Sequence, residues 1–178
     1  EWAGRDTLGR SSARRKPRGL VTREAKRKSE AHSLMVYLDT SCLLKLLLLE
    51  PESEAVRKAV GSEAEVVVST LARLEAEVQL AAGHRGGRFR VSQWRAYRDG
   101  LARLLTQDPF HLRSLPGSVF DTALRQHQQA RTVHCRSLDR LHLAAMEELG
   151  LTRLMTHDDA QASAARAVGF GVSHPGRG

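Results

Sequence analysis

From Met35 onward, short apolar runs alternate with segments in which apolar residues recur every three or four positions. The apolar runs predict strands over 35–38, 65–69, 110–115, 151–155 and 169–172. The amphipathic segments predict a helix after Asp39 and further helices over 53–61, 70–82, 91–106, 118–130, 138–148 and 158–167. Strands and helices that alternate at this spacing are typical of an α/β fold. We therefore expect a three-layer α/β/α domain with a mostly parallel central sheet, covered on both faces.

The first 34 residues have a different pattern and a different charge. They contain 10 Lys+Arg and 4 Asp+Glu, with few apolar residues and no periodicity. Such a segment cannot bury enough apolar surface to offset its chain entropy, so we expect residues 1–34 to be disordered. They form either a basic RNA-binding arm or a dispensable extension, and the sequence leaves both open. The folded domain is expected over residues 35–178.

Composition changes this picture mainly through the balance of charge. The chain of 178 residues has a formal net charge of +8, but residues 35–178 contain 18 Lys+Arg against 16 Asp+Glu. The basic excess therefore belongs mostly to the first segment. The two cysteines cannot build a disulfide framework, which favours a cytoplasmic protein. The apolar run at 43–49 is interrupted by Lys45 and is far shorter than a membrane span of about 20 residues, so we expect no membrane association.

Three carboxylates stand at or after the ends of predicted strands, and a fourth opens a helix. Asp39 follows the first strand, Glu75 lies in the helix after the second, and Asp158 comes shortly after the strand at 151–155. Asp139 opens the helix that precedes that strand. Because ligands of open parallel sheets bind outside the carboxyl ends of the strands, we expect these four side chains to converge at one edge of the sheet.

The pattern around Glu75 indicates an inward carboxylate. The predicted buried face of its helix consists of Leu71, Leu74, Val78 and Ala81. Glu75 falls on that face, where an unpaired carboxylate is costly. Taken singly, each of the four acids has an ordinary explanation as a helix cap or an arginine partner. Together they would repel one another unless some of them were protonated or a divalent cation balanced them. An oxygen-only ligand set selects Mg²⁺ or Mn²⁺ and predicts metal-assisted phosphodiester hydrolysis.

Several segments of the chain resemble the PIN-domain ribonucleases, and specifically the VapC-type toxins of bacterial toxin–antitoxin pairs. They are Val36–Ser41, Ser69–Glu75, Arg136–Ala144, Leu154–Asp158 and Ala167–Phe170. Their order and spacing extend the resemblance from Met35 to about Val172. It implies a PIN-like fold, cleavage of RNA, homodimerisation, and inhibition by a cognate antitoxin in a toxin–antitoxin hetero-oligomer.

The resemblance also implies roles for individual residues. The catalytic, metal-binding carboxylates would be Asp39, Glu75, Asp139 and Asp158. The supporting residues would be the hydroxyls of Thr40 or Ser41 and of Thr156, with Asp159 as a substitute for the adjacent Asp158. The family more often has a small or apolar residue where this chain has Arg140. This arginine is a candidate to contact a substrate phosphate or a neighbouring carboxylate.

Two other classes of function stay open at the level of the sequence. One is a non-catalytic PIN-like module that binds RNA or DNA. The other is a phosphatase or receiver-like protein with Asp39 as nucleophile, which the lack of a second acid two residues later disfavours. His142 and Cys42 are expected to be packed structural residues. The arginines of the loop at 84–90 are candidate RNA contacts, whereas Trp94 is expected to pack in the core or a dimer interface.

Overall fold

A computed structural model describes residues 35–130 and 133–177, so the predicted disorder of residues 1–34 lies outside the described residues. Within these ranges the strands are β1 (Met35–Leu38), β2 (Glu65–Ser69), β3 (Phe110–Arg113), β4 (Arg153–Met155) and β5 (Gly171–Ser173). They form one sheet in the order β3-β2-β1-β4-β5, and every pairing is parallel. The predicted parallel α/β sheet is confirmed.

The helices of the described residues follow the predicted alternation closely. They are α1 (Thr40–Leu47), α2 (Ser53–Gly61), α3 (Thr70–Arg85), α4 (Val91–Leu104), α5 (Val119–Gln129), α6 (Ser137–Glu148) and α7 (Asp159–Ala167). The main difference is that α3 continues past Gly83, which the sequence predicts as its end. A Cβ at Gly83 would overlap the ring of Phe89, so this glycine serves a close approach and not a helix stop. No helix in this part of the chain is long and apolar enough to cross a membrane.

The two faces of the sheet carry separate cores. Val36 and Leu38 belong to a buried cluster with residues of α1 to α4, whereas Tyr37 belongs to a second cluster with residues of α5 to α7. Successive side chains of a strand point to opposite faces, which explains why neighbours on β1 enter different clusters. The result is the expected three-layer arrangement, with β1 at its centre and Val36, Tyr37 and Leu38 buried.

The buried face of α3 differs from the predicted one. The fully buried residues are Ala72, Ala76 and Leu80, whereas Leu74 and Val78 are 60% and 58% exposed. The reason is that α3 begins directly at β2, where Ser69 Oγ accepts a hydrogen bond from Ala72 N at 3.1 Å. This cap fixes the rotation of the helix and turns its small side chains towards the sheet. The predicted stripe of larger apolar residues is therefore wrong.

The order of the strands creates a switch point beside β1. The strands after β1 lie first on one side of it, as β2 and β3, and then on the other side, as β4 and β5. At the carboxyl end of this central pair, Asp39 N donates a hydrogen bond to Met155 O at 3.1 Å. Ligands of open α/β sheets bind at such a point, and this is where the predicted acids lie.

Candidate active site

Asp39 is held as a fixed carboxylate by the start of α1. It caps this helix, and its Oδ2 accepts hydrogen bonds from Ser41 N at 3.3 Å and Ser41 Oγ at 2.7 Å. Thr156 Oγ1, at the end of β4, lies 2.9 Å from the same oxygen. The Asp39 side chain is only 7% exposed. No residue of the described ranges donates a hydrogen bond to its Oδ1, which leaves one oxygen free for another partner.

Glu75 lies on the first half of α3, where its carboxylate contacts Thr40 and His142. Its Oε2 accepts a hydrogen bond from Thr40 Oγ1 at 2.6 Å and lies 2.6 Å from His142 Nε2. His142 Nε2 is also 3.8 Å from Asp39 Oδ1. Burial raises the pKa of Glu75, but the hydrogen bonds from His142 and Thr40 outweigh it and hold this pKa below the ordinary value. Asp39 and Glu75, here called the inner pair, therefore meet at a histidine.

His142 is a residue of the candidate site that the sequence did not reveal. It is 1% exposed, and its Nδ1 lies 2.7 Å from Tyr37 Oη, which in turn lies 2.6 Å from Ser69 Oγ. Burial raises the pKa of Tyr37 above its usual range, so the phenol keeps its proton. The only indication in the sequence is the spacing of three residues from Asp139, which is too common on helices to decide the matter.

The hydrogen-bond partners fix the direction of this buried chain of groups. An ionised Glu75 can only accept, so His142 Nε2 carries the hydrogen, and in a neutral ring Nδ1 then accepts from Tyr37 Oη. Tyr37 Oη then gives its one hydrogen to Nδ1, so Ser69 Oγ donates to Tyr37 Oη while it accepts from Ala72 N. With a neutral His142 ring, donation runs in one direction, from Ser69 through Tyr37 and His142 to Glu75.

Asp139 and Asp158, here called the outer pair, are balanced by a single arginine. Arg136 donates from Nε to Asp139 Oδ2 at 3.0 Å and from Nη2 to Asp158 Oδ2 at 2.6 Å. Its side chain is 71% exposed, and the hydrogen bond to Asp139, together with the charges of Asp139 and Asp158, raises its pKa. Asp139 also accepts from Arg136 N at 3.1 Å in the first turn of α6, and Asp158 caps α7 through Gln161 N at 2.9 Å. The predicted capping roles and the predicted clustering are thus compatible.

The supporting residues predicted from the resemblance separate into two groups. Thr40, Ser41 and Thr156 each contact a carboxylate of the inner pair. Asp159 points elsewhere and pairs with Arg177 Nη1 at 2.8 Å, so Asp158 is the acid that faces the site. Arg140 is 5% exposed and makes no ion pair with a carboxylate of the described residues. The position beside the acids that was predicted for Arg140 is occupied by Arg136 instead.

The donor chemistry of the site fits a hard divalent cation. Asp39 and Glu75 each offer a carboxylate oxygen that receives no hydrogen bond from the described residues, and the outer pair already binds a cationic group in Arg136. Across residues 35–130 and 133–177, however, no three Asp, Glu, His or Cys side chains converge closely enough to hold a metal ion. The inner pair is separated by His142 and the outer pair is joined by Arg136, so binding of a metal by all four acids requires Arg136 to move.

Cys42, Trp94 and Arg88, three other residues considered in the sequence, are packed or paired with neighbouring residues. Cys42 is fully buried, and burial raises the pKa of its thiol to about 12, so the thiol stays protonated. Trp94 packs against the core beside α1 to α4, stacked 4.9 Å from the ring of His84. Arg88, in the loop at 84–90, forms an ion pair with Glu50 at 2.8 Å. The prediction that this loop contacts RNA stays a prediction.

Comparison with known proteins agrees with this architecture. Residues 36–167 match the PIN domain family. The chain is 36% identical over 143 residues to Ribonuclease VapC46 of Mycobacterium tuberculosis, covering 79% of this chain and 97% of that protein. It is 32% identical over 148 residues to Ribonuclease VapC47 of the same species, covering 80% and 98% of the two chains.

Solved structures show the same fold at lower sequence identity. The crystal structure of M. tuberculosis VapC20, described as a Sarcin-Ricin loop cleaving toxin, has a TM-score of 0.60 at 15% identity, covering 79% of this chain and 99% of that one. A toxin–antitoxin complex from Klebsiella pneumoniae has a TM-score of 0.55 at 17% identity, covering 79% and 97%. Fold, family match and sequence identity agree, and the chain belongs to the PIN-domain family, within the group that includes the VapC ribonucleases.

Proposed function

We propose that this protein is a metal-dependent endoribonuclease and the toxin of a VapBC-type toxin–antitoxin pair. The observation that carries the proposal is the group of four carboxylates at the end of β1. Asp39 and Glu75 share His142 as a partner, and Asp139 and Asp158 share Arg136. Relatives that are named ribonucleases and match over nearly their whole length support RNA as the substrate. Asp39, Glu75, Asp139 and Asp158 would hold one or two Mg²⁺ or Mn²⁺ ions.

The residues of the chain have distinct tasks in this proposal. When bound, the metal would lower the pKa of a water molecule and balance charge that develops on the phosphodiester. Ser41 and Thr156 keep Oδ1 of Asp39 turned to the site, and Thr40 and His142 hold the charged form of Glu75. Arg136 is mostly exposed, so it can leave the outer pair and bind an RNA phosphate.

A cavity beside the carboxylates supports a path for the RNA backbone. It has a volume of about 310 Å³, begins at Ser41 and His157, and is lined by Lys45, Arg88 and Arg177. Each of these three cations is paired with an acid in the structure, at distances of 3.1, 2.8 and 2.8 Å for its closest contact. RNA phosphates would replace those acids, which makes binding dependent on salt concentration.

Exposed apolar side chains support protein partners as well. Leu74 and Val78 lie one turn apart on α3, and Phe120 and Leu124 lie one turn apart on α5, all more than half exposed. Exposed apolar pairs of this kind mark surfaces that another protein covers. We propose that an antitoxin and a second copy of this chain are the partners, in line with the structural relative from K. pneumoniae, which is a toxin–antitoxin complex.

The proposal is tested by RNA cleavage with purified protein. We expect cleavage that requires Mg²⁺ or Mn²⁺, stops with EDTA, and is abolished by Asp39→Asn without loss of the folded state. Asp121→Asn changes an exposed carboxylate on α5 and is the matched control. Full activity of Asp39→Asn would contradict the proposal. Metal-independent RNA binding without cleavage products would instead identify the alternative, a non-catalytic PIN-like binding module.

A further inference from the structure

The end of α3, the turn that follows it and α4 carry a concentrated positive charge. Residues 84–103, here called the arginine hairpin, contain six arginines, no lysine and a single acid, Asp99. The other residues of 35–178 contain 12 Lys+Arg against 15 Asp+Glu, so they are slightly acidic. A basic surface on an otherwise acidic domain indicates an anionic partner.

The arginines of the hairpin face solvent, and most of them are unpaired. All six are exposed. Arg88 forms an ion pair with Glu50 and Arg98 forms one with Glu77, each at 2.8 Å. The other four make no ion pair with a carboxylate of the described residues; they are Arg85, Arg90, Arg95 and Arg103. These guanidinium groups are therefore accessible to an anion in solution.

The turn between the two helices is ordered by aromatic packing. Phe89 is 8% exposed, its ring lies 5.1 Å from that of Tyr97, and Gly83 leaves the space that this ring needs. His84 Nδ1 lies 3.1 Å from Phe89 O, and its ring stacks on Trp94 at 4.9 Å. The aromatic side chains point inward and the arginines outward. The backbone positions of the arginines are thus set before a ligand binds, which lowers the entropy cost of binding.

Two features of the hairpin favour a phosphate backbone over a protein as the partner. Its cations are all arginines, whose planar sets of donors match the oxygens of a phosphate. Of its large apolar side chains only Val91 is substantially exposed, at 45%. The centre of a protein interface is depleted of charge and needs more apolar surface than this.

The hairpin is also connected to the candidate active site. Arg88 lines the cavity of about 310 Å³ that begins at Ser41, and Ser41 contacts Asp39. An RNA that leaves this cavity past Arg88 meets the hairpin next. Arg95 and Arg103 extend the basic surface by about 12 Å along the axis of α4.

We propose that the arginine hairpin binds the phosphates of the RNA segment that flanks the cleaved bond. This inference rests on the proposed function and adds a second contact region to it, away from the carboxylates. The contact is with the backbone, so it holds RNA without reading its sequence. It stabilises bound substrate and transition state equally, and therefore sets the affinity for RNA and not the rate of the chemical step.

Binding of fluorescein-labelled poly(U) to Asp39→Asn protein in Mg²⁺ tests the proposal, because this variant is expected not to cut RNA. Adding Arg85→Gln, Arg95→Gln and Arg103→Gln removes three exposed cations of the hairpin. We expect the affinity to fall by about tenfold and the slope of log K against log salt to decrease by about 2, since each phosphate contact of a single strand contributes about 0.7. Fluorescence anisotropy at several salt concentrations measures both.

The matched control removes three exposed cations from α2 and α7, which also make no ion pair within the described ranges. Its substitutions are Arg57→Gln, Lys58→Gln and Arg166→Gln. The two triple variants have the same net charge, so the control should lower the affinity by no more than about twofold. Equal losses in the two variants would show a general effect of net charge and would overturn the proposal. An unchanged affinity in the hairpin variant would overturn it as well.

Cleavage kinetics separate this inference from the proposed function. With Asp39 restored, the three hairpin substitutions should raise KM for the RNA that the wild type cuts by about tenfold and leave kcat unchanged. A lower kcat at unchanged KM would place these arginines in the chemical step and contradict the inference. If the wild type cuts no RNA, the proposed function fails, while the binding comparison still decides whether the hairpin holds RNA.

Discussion

The inner pair and the outer pair of carboxylates lie at the same edge of the sheet, but they have different kinds of partners. Asp39 and Glu75 are surrounded by hydroxyls and a buried histidine, all fixed by the strand ends and helix starts that carry them. Asp139 and Asp158 share one guanidinium whose side chain is 71% exposed. The positions of the inner-pair carboxylates are therefore fixed by their neighbours, whereas the outer pair is held by Arg136, an exposed side chain that can move away. This difference gives the two pairs different sensitivities to mutation.

The largest effect is expected from removing a charge of the inner pair. Glu75→Gln keeps a similar shape but cannot balance a cation, and we expect RNA cleavage to fall by about a hundredfold or more. Asp158→Asn should cost less, about tenfold, because Asp158 belongs to the adjustable outer pair. Single-turnover cleavage at saturating Mg²⁺ measures both. Equal losses for the two variants would remove the distinction between the pairs.

The next effect is on stability and comes from the residue that joins the inner pair. His142→Ala leaves Tyr37 and Glu75 without their shared partner and should lower the free energy of unfolding by about 3 kcal/mol. Urea unfolding measures this value. His127→Ala, at an exposed position on α5, should change it by no more than about 0.5 kcal/mol.

A rescue variant separates positioning from packing at His142. His142→Gln offers an amide donor to Glu75, and we expect it to recover part of the cleavage activity that His142→Ala loses. Its recovery of activity should exceed its recovery of stability, because the amide cannot also accept from Tyr37 in the same geometry. If His142→Ala were as stable and as active as His127→Ala, the buried chain of hydrogen bonds would have no role.

A smaller effect is expected when the cation of the outer pair is removed. Arg136→Met should change the free energy of unfolding by less than about 1 kcal/mol, as exposed ion pairs do. It should also tighten Mn²⁺ binding by about fivefold, because a competing positive charge worth about 1 kcal/mol is gone. Manganese titration followed by electron paramagnetic resonance measures the affinity. Arg98→Met, which removes an exposed ion pair with Glu77, should leave it unchanged; weaker binding in Arg136→Met would show that Arg136 supports the metal site.

The smallest effect concerns Glu147, near the carboxyl end of α6. The proposed metal ligand of this helix, Asp139, lies at its other end. The hydrogen bond from Gln126 lowers the pKa of Glu147, burial opposes this, and Arg125 adds to the lowering. A lowered pKa means that stability is present above the unfolded value of about 4.5 and is lost as the pH falls through the folded value. When the pH falls from 7 to 3, we expect the melting temperature of Glu147→Gln to decrease by about 2 °C less than that of the wild type. The difference is small because the Glu147 side chain is half exposed. A larger loss in the variant would contradict the direction of this pKa shift.

Local patterns in the sequence account for most of the fold and for the identity of the acids. The run of apolar residues before Asp39 predicts a buried strand, and the rule that ligands gather at strand ends places Asp39 and Asp158 at one edge without any tertiary knowledge. Capping preferences explain why acids stand there at all, since both begin a helix. These inferences succeed because strand alternation and helix capping involve residues that are close along the chain.

The face of α3 and the partners of the acids could not be predicted in this way. The rotation of α3 is set by its cap on Ser69 and by alanines that approach the sheet, so larger apolar residues at Leu74 and Val78 turn outward. Helical spacing alone favours the larger residues for the core and gives the wrong face. Likewise, Arg136 and Arg140 are both basic residues near Asp139, and only the packing of α6 decides which one is exposed beside the acids and which one is buried.

What the sequence determined by itself is the order of the elements, the parallel sheet and the four acids at its edge. What the tertiary structure decided is how those acids are paired. The contact between Tyr37 and His142 joins residues 105 positions apart, and the contact between Glu75 and His142 joins residues 67 positions apart. Contacts over such distances depend on how helices rotate and pack against the sheet, and no local pattern encodes that rotation. The physical reason is that a side chain's identity fixes what it can bind, while packing fixes what it meets.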